Sequence, residues 1–256
     1  MVVIPFIQIL GAIVTIGARL TGVVLFAPFF GSMAIPARVK AFLVVAMTAL
    51  LYPMTSPKIP AMNIAQWPIT MLGELIIGAG VGIASNLVFD GVQMAGQLLG
   101  IQMGYSLVNL MDPQTQVEST VMAQFHQTIA MLIFLQLNVQ LWILRALTHS
   151  FDYLPPASMH LRGAFVTALL HAGASVFSTG IQIAAPVLSA TLIADLALGI
   201  LGKASPQLPL MLLGPAIKSI LGILILISAI KYWPDQFERF FLQSTTLADH
   251  LLHLAS

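Results

Sequence analysis

Long apolar segments are the feature that most limits what this chain can fold into. The first covers residues 2–27 and is interrupted only by Arg19. Further, largely apolar runs cover 41–52, 67–89, 119–147, 163–200 and 210–230. A helix of roughly 20 apolar residues crosses a bilayer, and lipid offers backbone groups no partner outside their own helix. The pattern predicts an all-α membrane protein with about six hydrophobic helical segments.

The balance of residue types excludes several classes of protein. Hydrophobic residues make up 58% of the chain and charged residues 7%, against about 25% charged in a soluble domain. The absence of cysteine excludes disulfides and thiolate metal sites, and the scattered basic residues form no stripe suited to nucleic acid. The six histidines never form a metal-ligand spacing on a helix face that also carries a carboxylate, and no nucleotide-binding or hydrolase motif is present. We therefore expect no enzyme activity, cofactor or metal.

Residues 91–120 are unlike an ordinary membrane span, because they are rich in glycine and polar side chains. At about 100° per residue, one helix face carries Gln93, Gly96, Gln97, Gly100 and Gly104. Glycines at this spacing let another helix backbone approach closely, and neighbouring glutamines can bond to the same helix. A second series at four-residue spacing is Glu74, Gly78 and Gly82. Both sets predict helix packing and subunit contacts.

The length of the third segment creates a geometric problem. A straight helix over 67–105 would be about 58 Å long, nearly twice the hydrocarbon thickness. The sequence therefore predicts a break near Asp90 and Gly91 or a helix that leaves the bilayer. In the segment 163–200, Pro186 predicts a kink.

Polar residues in the other segments predict contacts between helices. The stretch 119–147 is expected to be one long helix, in which His126 is a packing residue or, as the alternative, a proton relay. A turn at 202–209 joins two apolar runs as a hairpin, across which Asp195 and Lys218 are candidates for an ion pair. Aromatic and aliphatic residues among the charges of 233–256 predict an amphipathic helix at an interface.

Several motifs together resemble a known family. They are Arg19, the pair Ala27 and Pro28, IPARVK at 35–40, Glu74 with Gly78, AGQLLGIQMG at 95–104, DPQT at 112–115, SFDYLP at 150–155 and ASPQL at 204–208. The chain resembles the FliR family, the T-type subunit of the type III secretion export gate. The resemblance extends over about 12–226, and the central QMG…DPQ motif is its most specific part.

The resemblance implies an architecture of kinked helical hairpins, similar to a P-type and a Q-type gate subunit joined in one chain. Residues 1–162 would be the P-like helices with a central plug loop at 105–118, 163–232 the Q-like hairpin, and 233–256 the amphipathic tail. The plug positions implied are Tyr105, Ser106, Leu107, Val108, Asn109, Leu110, Met111, Asp112, Pro113 and Gln114. Family plugs often carry phenylalanine, whereas this loop offers aliphatic and methionine side chains.

The function implied is that of a non-enzymatic subunit of the flagellar export gate in the bacterial inner membrane, at the basal body. The chain would form and plug the channel for unfolded export substrates. One copy would assemble with several P-type and Q-type subunits and with the switch and nonameric subunits of the same apparatus, surrounded by lipid. The alternatives are a gate subunit of a virulence injectisome, a small-solute transporter and, with less support, a membrane-embedded hydrolase.

Overall fold

The computed structural model describes residues 3–32, 35–59, 64–105, 120–155, 163–205, 207 and 209–254. These residues form eight α-helices joined by turns and short 3-10 segments, and they contain no strand. The helices are α1 Val3–Phe26, α2 Ala37–Thr55, α3 Trp67–Gln102, α4 Val121–Gln136, α5 Val139–Tyr153, α6 Gly163–Ala204, α7 Leu210–Ala229 and α8 Trp233–Leu254. The predicted all-α class is confirmed.

Five stretches of the described helices are long and apolar enough to cross a membrane, and the bent pair α4 and α5 raises the number to six. Large apolar side chains point outward on them: Phe42, Val45 and Met54 of α2 are each about two-thirds or more exposed. An apolar surface of this extent is unstable in water and matches lipid or other helices. The chain is therefore a multi-pass membrane protein, as the apolar runs predict.

The contacts divide the chain into two compact units. Unit 1 contains 1–87, 138–173 and 241–256, and unit 2 contains 88–137 and 174–240. The helices α3, α6 and α8 therefore each contribute to both units. The predicted division into P-like and Q-like parts concerns similarity to other gate subunits. The contacts within this chain do not test that similarity, so the division stays a prediction.

In unit 1, α1 and α3 cross with their backbones in contact. A Cβ atom at Gly78 would overlap the carbonyl oxygen of Arg19, and one at Gly82 would lie 2.9 Å from the backbone nitrogen of Ala27. From the other side, a Cβ at Gly22 would lie 2.6 Å from the backbone nitrogen of Ala79. Only glycine fits these positions, so the predicted stripe at Gly78 and Gly82 is a close helix contact within the chain.

A buried ion pair lies at the same crossing. Arg19 Nε donates to Glu74 Oε2 at 2.5 Å, and the two side chains are 0% and 1% exposed. The remaining guanidinium nitrogens donate to Ser150 Oγ at 2.9 Å and to the carbonyl oxygen of Leu154 at 3.0 Å. The guanidinium also stacks 4.0 Å from the ring centroid of Phe151. One side chain thus joins α1, α3 and the end of α5.

The stretch 119–147, predicted to be one long helix, is two helices. Helix α4 ends at Gln136, and α5 begins at Val139 after a bend of 63°. Asn138 adopts φ +55°, a left-handed conformation that interrupts helical hydrogen bonding and that asparagine tolerates better than most residues. The prediction missed this break because no proline or glycine marks it.

The geometry of α3 resolves one of the alternatives that the sequence left open. The helix is continuous over 36 residues from Trp67 to Gln102, so there is no break at Asp90 and Gly91. Its length is about 54 Å at 1.5 Å per residue. The remaining alternative, a helix that leaves the bilayer, stays a prediction.

The amphipathic helix predicted at 233–256 is α8, but its apolar face is largely covered by protein. Trp233, Phe237, Phe241 and Leu251 are each at most 3% exposed. In unit 2, Trp233 packs beside the ring of His126 with centroids 5.0 Å apart. The apolar side chains of α8 are thus mainly core residues and not an anchor in the membrane surface.

The glycine crossing predicts a large difference between two similar substitutions. We expect Gly78→Ala to lower the free energy of unfolding by about 1–3 kcal/mol or more, because a Cβ there meets backbone atoms that cannot move aside. Gly173→Ala is the matched control, since nothing lies within 4 Å of its Cβ position and alanine favours helix by about 1 kcal/mol. Thermal unfolding of the purified proteins in detergent measures both. Equal stability of the two variants would contradict the crossing.

The ion pair predicts non-additive substitutions. We expect Arg19→Met to cost about 3–5 kcal/mol, because Glu74 would stay buried without its charge partner. The double variant Arg19→Met, Glu74→Met removes both charges and should recover much of that loss. The same unfolding measurement applies, and a double variant no more stable than Arg19→Met would show that the pair is not energetically coupled.

Candidate functional site

The central loop implied as a plug lies between α3 and α4. Its first residue, Tyr105, is described, and the other implied plug positions lie outside the described residues: Ser106, Leu107, Val108, Asn109, Leu110, Met111, Asp112, Pro113 and Gln114. The structure therefore locates the two ends of the loop. Those ends, all in unit 2, form the candidate functional site.

The first end of the loop begins at a helix terminus closed by glycine. Gly104 adopts φ +86°. Its N–H donates to the carbonyl oxygen of Ile101 at 3.1 Å, and the N–H of Tyr105 donates to the carbonyl oxygen of Gly100 at 2.9 Å. This is the Schellman pattern, in which a left-handed glycine lets the chain turn away from the helix axis. Glycine is required here for its conformation, in addition to any packing role.

Helix α7 supports this end of the loop. The hydroxyls of Tyr105 and Ser219 are 2.7 Å apart and share a hydrogen bond. A Cβ at Gly104 would lie 2.7 Å from Cβ of Pro215, and one at Gly222 would lie 3.0 Å from Cγ of Met103. Positions 215, 219 and 222 fall on one face of a helix. That face of α7 therefore packs against the C-terminal end of α3 and the turn that follows it.

The other end of the loop is fixed by Thr120. Its hydroxyl accepts from the N–H of Ala123 at 3.2 Å, which caps α4, and donates to the carbonyl oxygen of Gly96 at 3.2 Å. A Cβ at Gly100 would lie 2.5 Å from this hydroxyl, and one at Gly96 would lie 2.8 Å from the backbone nitrogen of Ala123. Both ends of the loop therefore meet α3 at Gly100.

A polar cluster lies beside the first end. Asp195 of α6 accepts from Gln102 Nε2 at 2.8 Å and pairs with Lys218 Nζ of α7 at 2.9 Å. The ion pair expected across the α6–α7 hairpin is thus confirmed. The side chain of Lys218 is 17% exposed and that of Asp195 is 41% exposed, so the protein does not fully enclose the carboxylate.

The residues predicted to pack occupy two places. Glu74, Gly78 and Gly82 face α1 in unit 1, where Glu74 is committed to Arg19. In unit 2, the predicted stripe has Gly96 and Gly100 against the start of α4, Gly104 against α7, and half-buried side chains at Gln93 and Gln97. The neighbours of these glycines belong to the same chain. Their contact with other subunits stays a prediction.

Sequence reasoning assigned no contact to Gln102, Thr120, Ser219 or Gly22, although Gln102 lies in the QMG motif. Two signals pointed to them. Thr120 precedes an apolar helix, which is the usual position of a capping residue. Ser219 and Gly222 continue the spacing of Pro215 on α7. Gly22 has no comparable local signal, because its importance lies in the backbone of α3 that packs against it.

The contacts described for this site join helices to one another. Among the described residues there is no group of three or more His, Asp or Glu side chains able to hold a metal ion. His126 is fully buried, with Nδ1 2.7 Å from the carbonyl oxygen of Met122 and the ring against Trp233. This is the environment of the packing histidine that the sequence favoured over a proton relay.

Comparison with known proteins places this geometry in a family. The model of the family described as bacterial export proteins, family 1, matches residues 10–244. The flagellar biosynthetic protein FliR of Pectobacterium carotovorum is 32% identical over 98% of this chain and 93% of its own length. FliR of Escherichia coli K12 is 29% identical, covering 80% and 78% of the two chains, and FliR of Bacillus subtilis 168 is 27% identical, covering 86% of each. This chain therefore belongs to the FliR family of flagellar biosynthetic export proteins.

Proposed function

We propose that this chain is a non-enzymatic subunit of the flagellar type III secretion export gate and that residues 105–118 plug its channel. Unfolded export substrates pass through the channel when the plug is displaced, and other parts of the machine supply the energy. The observation that carries the proposal is that both ends of the loop are fixed at Gly100 of α3. Family membership supports the setting, and this geometry supports the role of the loop.

A loop fixed at both ends suits a plug for a physical reason. The undescribed segment 106–119 begins after a left-handed glycine and ends at the helix cap of Thr120. Each end is held by hydrogen bonds and by contacts that a Cβ at Gly100 or Gly104 would disrupt. Because the flanking residues are fixed, a segment between them can block a channel or leave it without unfolding the helices that carry it.

The partners and location follow from the same proposal. One copy of this chain joins P-type and Q-type gate subunits, together with the switch and nonameric subunits, in the bacterial inner membrane at the flagellar basal body. The exposed apolar side chains of α2 offer a surface for lipid and for these subunits. The relatives compared above are flagellar biosynthetic proteins by name, which favours the flagellar gate over a virulence injectisome or a transporter.

Purification in mild detergent separates the gate subunit from the transporter alternative. A gate subunit co-purifies with several other small membrane proteins and is unstable without them. A stable, isolated monomer or symmetric dimer would overturn the assembly part of the proposal.

Removing the loop tests the plug directly. We expect deletion of 106–112 to leave assembly intact and to make cells leak ions, because Tyr105 and Thr120 keep their contacts with α7 and α3. The seven residues that remain between them span about 23 Å when extended, enough to rejoin ends that both meet α3 at Gly100. Ion leakage is measured in cells whose complex has been recovered in wild-type amount. Wild-type permeability in those cells would refute the plug.

A glycine substitution tests the support of the loop. We expect Gly100→Leu to prevent assembly, because its side chain would displace Thr120 and the start of α4. Gly199→Leu is the control in the same unit, since nothing lies within 4 Å of its Cβ position. Co-purification of the partner subunits measures both variants. A normal complex from Gly100→Leu would show that this contact is dispensable.

A further inference from the structure

The plug proposal assigns no role to two charged residues of the α6–α7 hairpin, Asp195 and Lys218. Asp195 is the only acidic residue of α6, and Lys218 is the only charged residue of α7. Charged side chains within apolar membrane helices are costly and are usually kept for a function. Besides pairing with Lys218 through Oδ1, Asp195 accepts from Gln102 at Oδ2 at 2.8 Å. Gln102 is the last residue of α3, immediately before the turn into the loop.

We propose that this hairpin is a latch that holds the entry of the plug loop and must release it for export. The latch consists of Asp195 and Lys218, which hold Gln102, and of Ser219, which holds Tyr105. The inference rests on the proposed plug function and adds the element that controls it. Asp195 and Ser219 are therefore positioning residues for the loop.

The geometry of α7 supports the latch. Pro215, Lys218, Ser219 and Gly222 lie at spacings of three, four and seven residues, which place them on one face of the helix. The face contacts Gly104, Tyr105 and Met103, and through Asp195 it reaches Gln102. Every described residue from 102 to 105 thus has a contact with the hairpin. A shift of the hairpin therefore displaces the entry of the loop.

The strength of these contacts suits a reversible latch. The Asp195 side chain is 41% exposed, so the protein does not enclose this ion pair. The ion pair of unit 1 is different, because Arg19 and Glu74 are both buried and breaking it would leave a buried charge. The first pair can open and close during export, whereas the second holds the fold. The hinge is available at Gly104, whose left-handed backbone already turns the chain.

An engineered disulfide tests the latch. A sulfur in place of Cγ of Met103 would lie 3.0 Å from a Cβ at position 222, the separation that a disulfide of ordinary geometry gives, about 3 Å. The chain has no native cysteine to compete. In the assembled complex, Met103→Cys with Gly222→Cys should therefore cross-link on oxidation. The single variant Met103→Cys, which has no second thiol, controls for the oxidant.

The expected result is that oxidation abolishes export by the double-cysteine complex and that reduction restores it. If export with the disulfide closed continues at the rate measured for the chemically reduced complex, the latch proposal is wrong. Failure of the disulfide to form in the closed complex would overturn the arrangement on which it rests. The oxidised and reduced states are the same assembled molecule, so a folding defect cannot produce the difference.

Charge variants give an independent measurement. Asp195→Asn should increase ion leakage, and the exchanged pair Asp195→Lys, Lys218→Asp should return leakage towards the wild-type level. Leakage from Asp195→Asn that equals wild type in an assembled complex contradicts the latch. The loop deletion distinguishes the two proposals: if it leaks but oxidation does not stop export, only the latch is wrong. If the deletion does not leak, the plug itself is wrong.

Discussion

The guanidinium of Arg19 must be neutralised within the protein, because its side chain is fully buried. Glu74 provides the charge, and Ser150 and the carbonyl of Leu154 accept the remaining donors. These partners come from α3 and from the end of α5, so satisfying one side chain fixes three helices of unit 1. The glycines around it allow the contact, since a Cβ at Gly78 would strike the backbone of α1. The ion pair of Arg19 with Glu74 and the glycine contact therefore both depend on the same crossing of α1 and α3.

Unit 2 uses weaker contacts for a different purpose. The ends of the central loop meet α3 at Gly100, one through a left-handed glycine turn and the other through the cap of Thr120. The hydrogen bond of Tyr105 with Ser219, the hydrogen bond from Gln102 to Asp195 and a partly exposed ion pair hold the first end to the hairpin of α6 and α7. These groups are less enclosed than Arg19 and Glu74. The proposed gate would need a permanent frame and a releasable closure, and the two classes of contact are consistent with that proposal.

Much of the fold was predictable because the apolar runs are long. A helix is the form in which a single spanning segment satisfies its own backbone in lipid, so the number and approximate bounds of the segments followed directly. The hairpin and its ion pair followed from a short turn between two runs. The break at Asn138 did not, because a left-handed asparagine leaves almost no local signature. The burial of α8 was also missed, since an amphipathic pattern does not say whether protein or membrane covers the apolar face.

The sequence by itself determined the class of the protein, its family and five of the glycines that lie at close contacts. These properties depend on composition, on motifs and on residue spacing along one helix. Only the tertiary structure decided the partners: that Arg19 meets Glu74, that Gly22 faces Gly78, and that Tyr105 is held by Ser219. The physical reason is that helix periodicity defines a face but not what covers it. Partner choice depends on how distant helices cross, and that is a property of the folded chain.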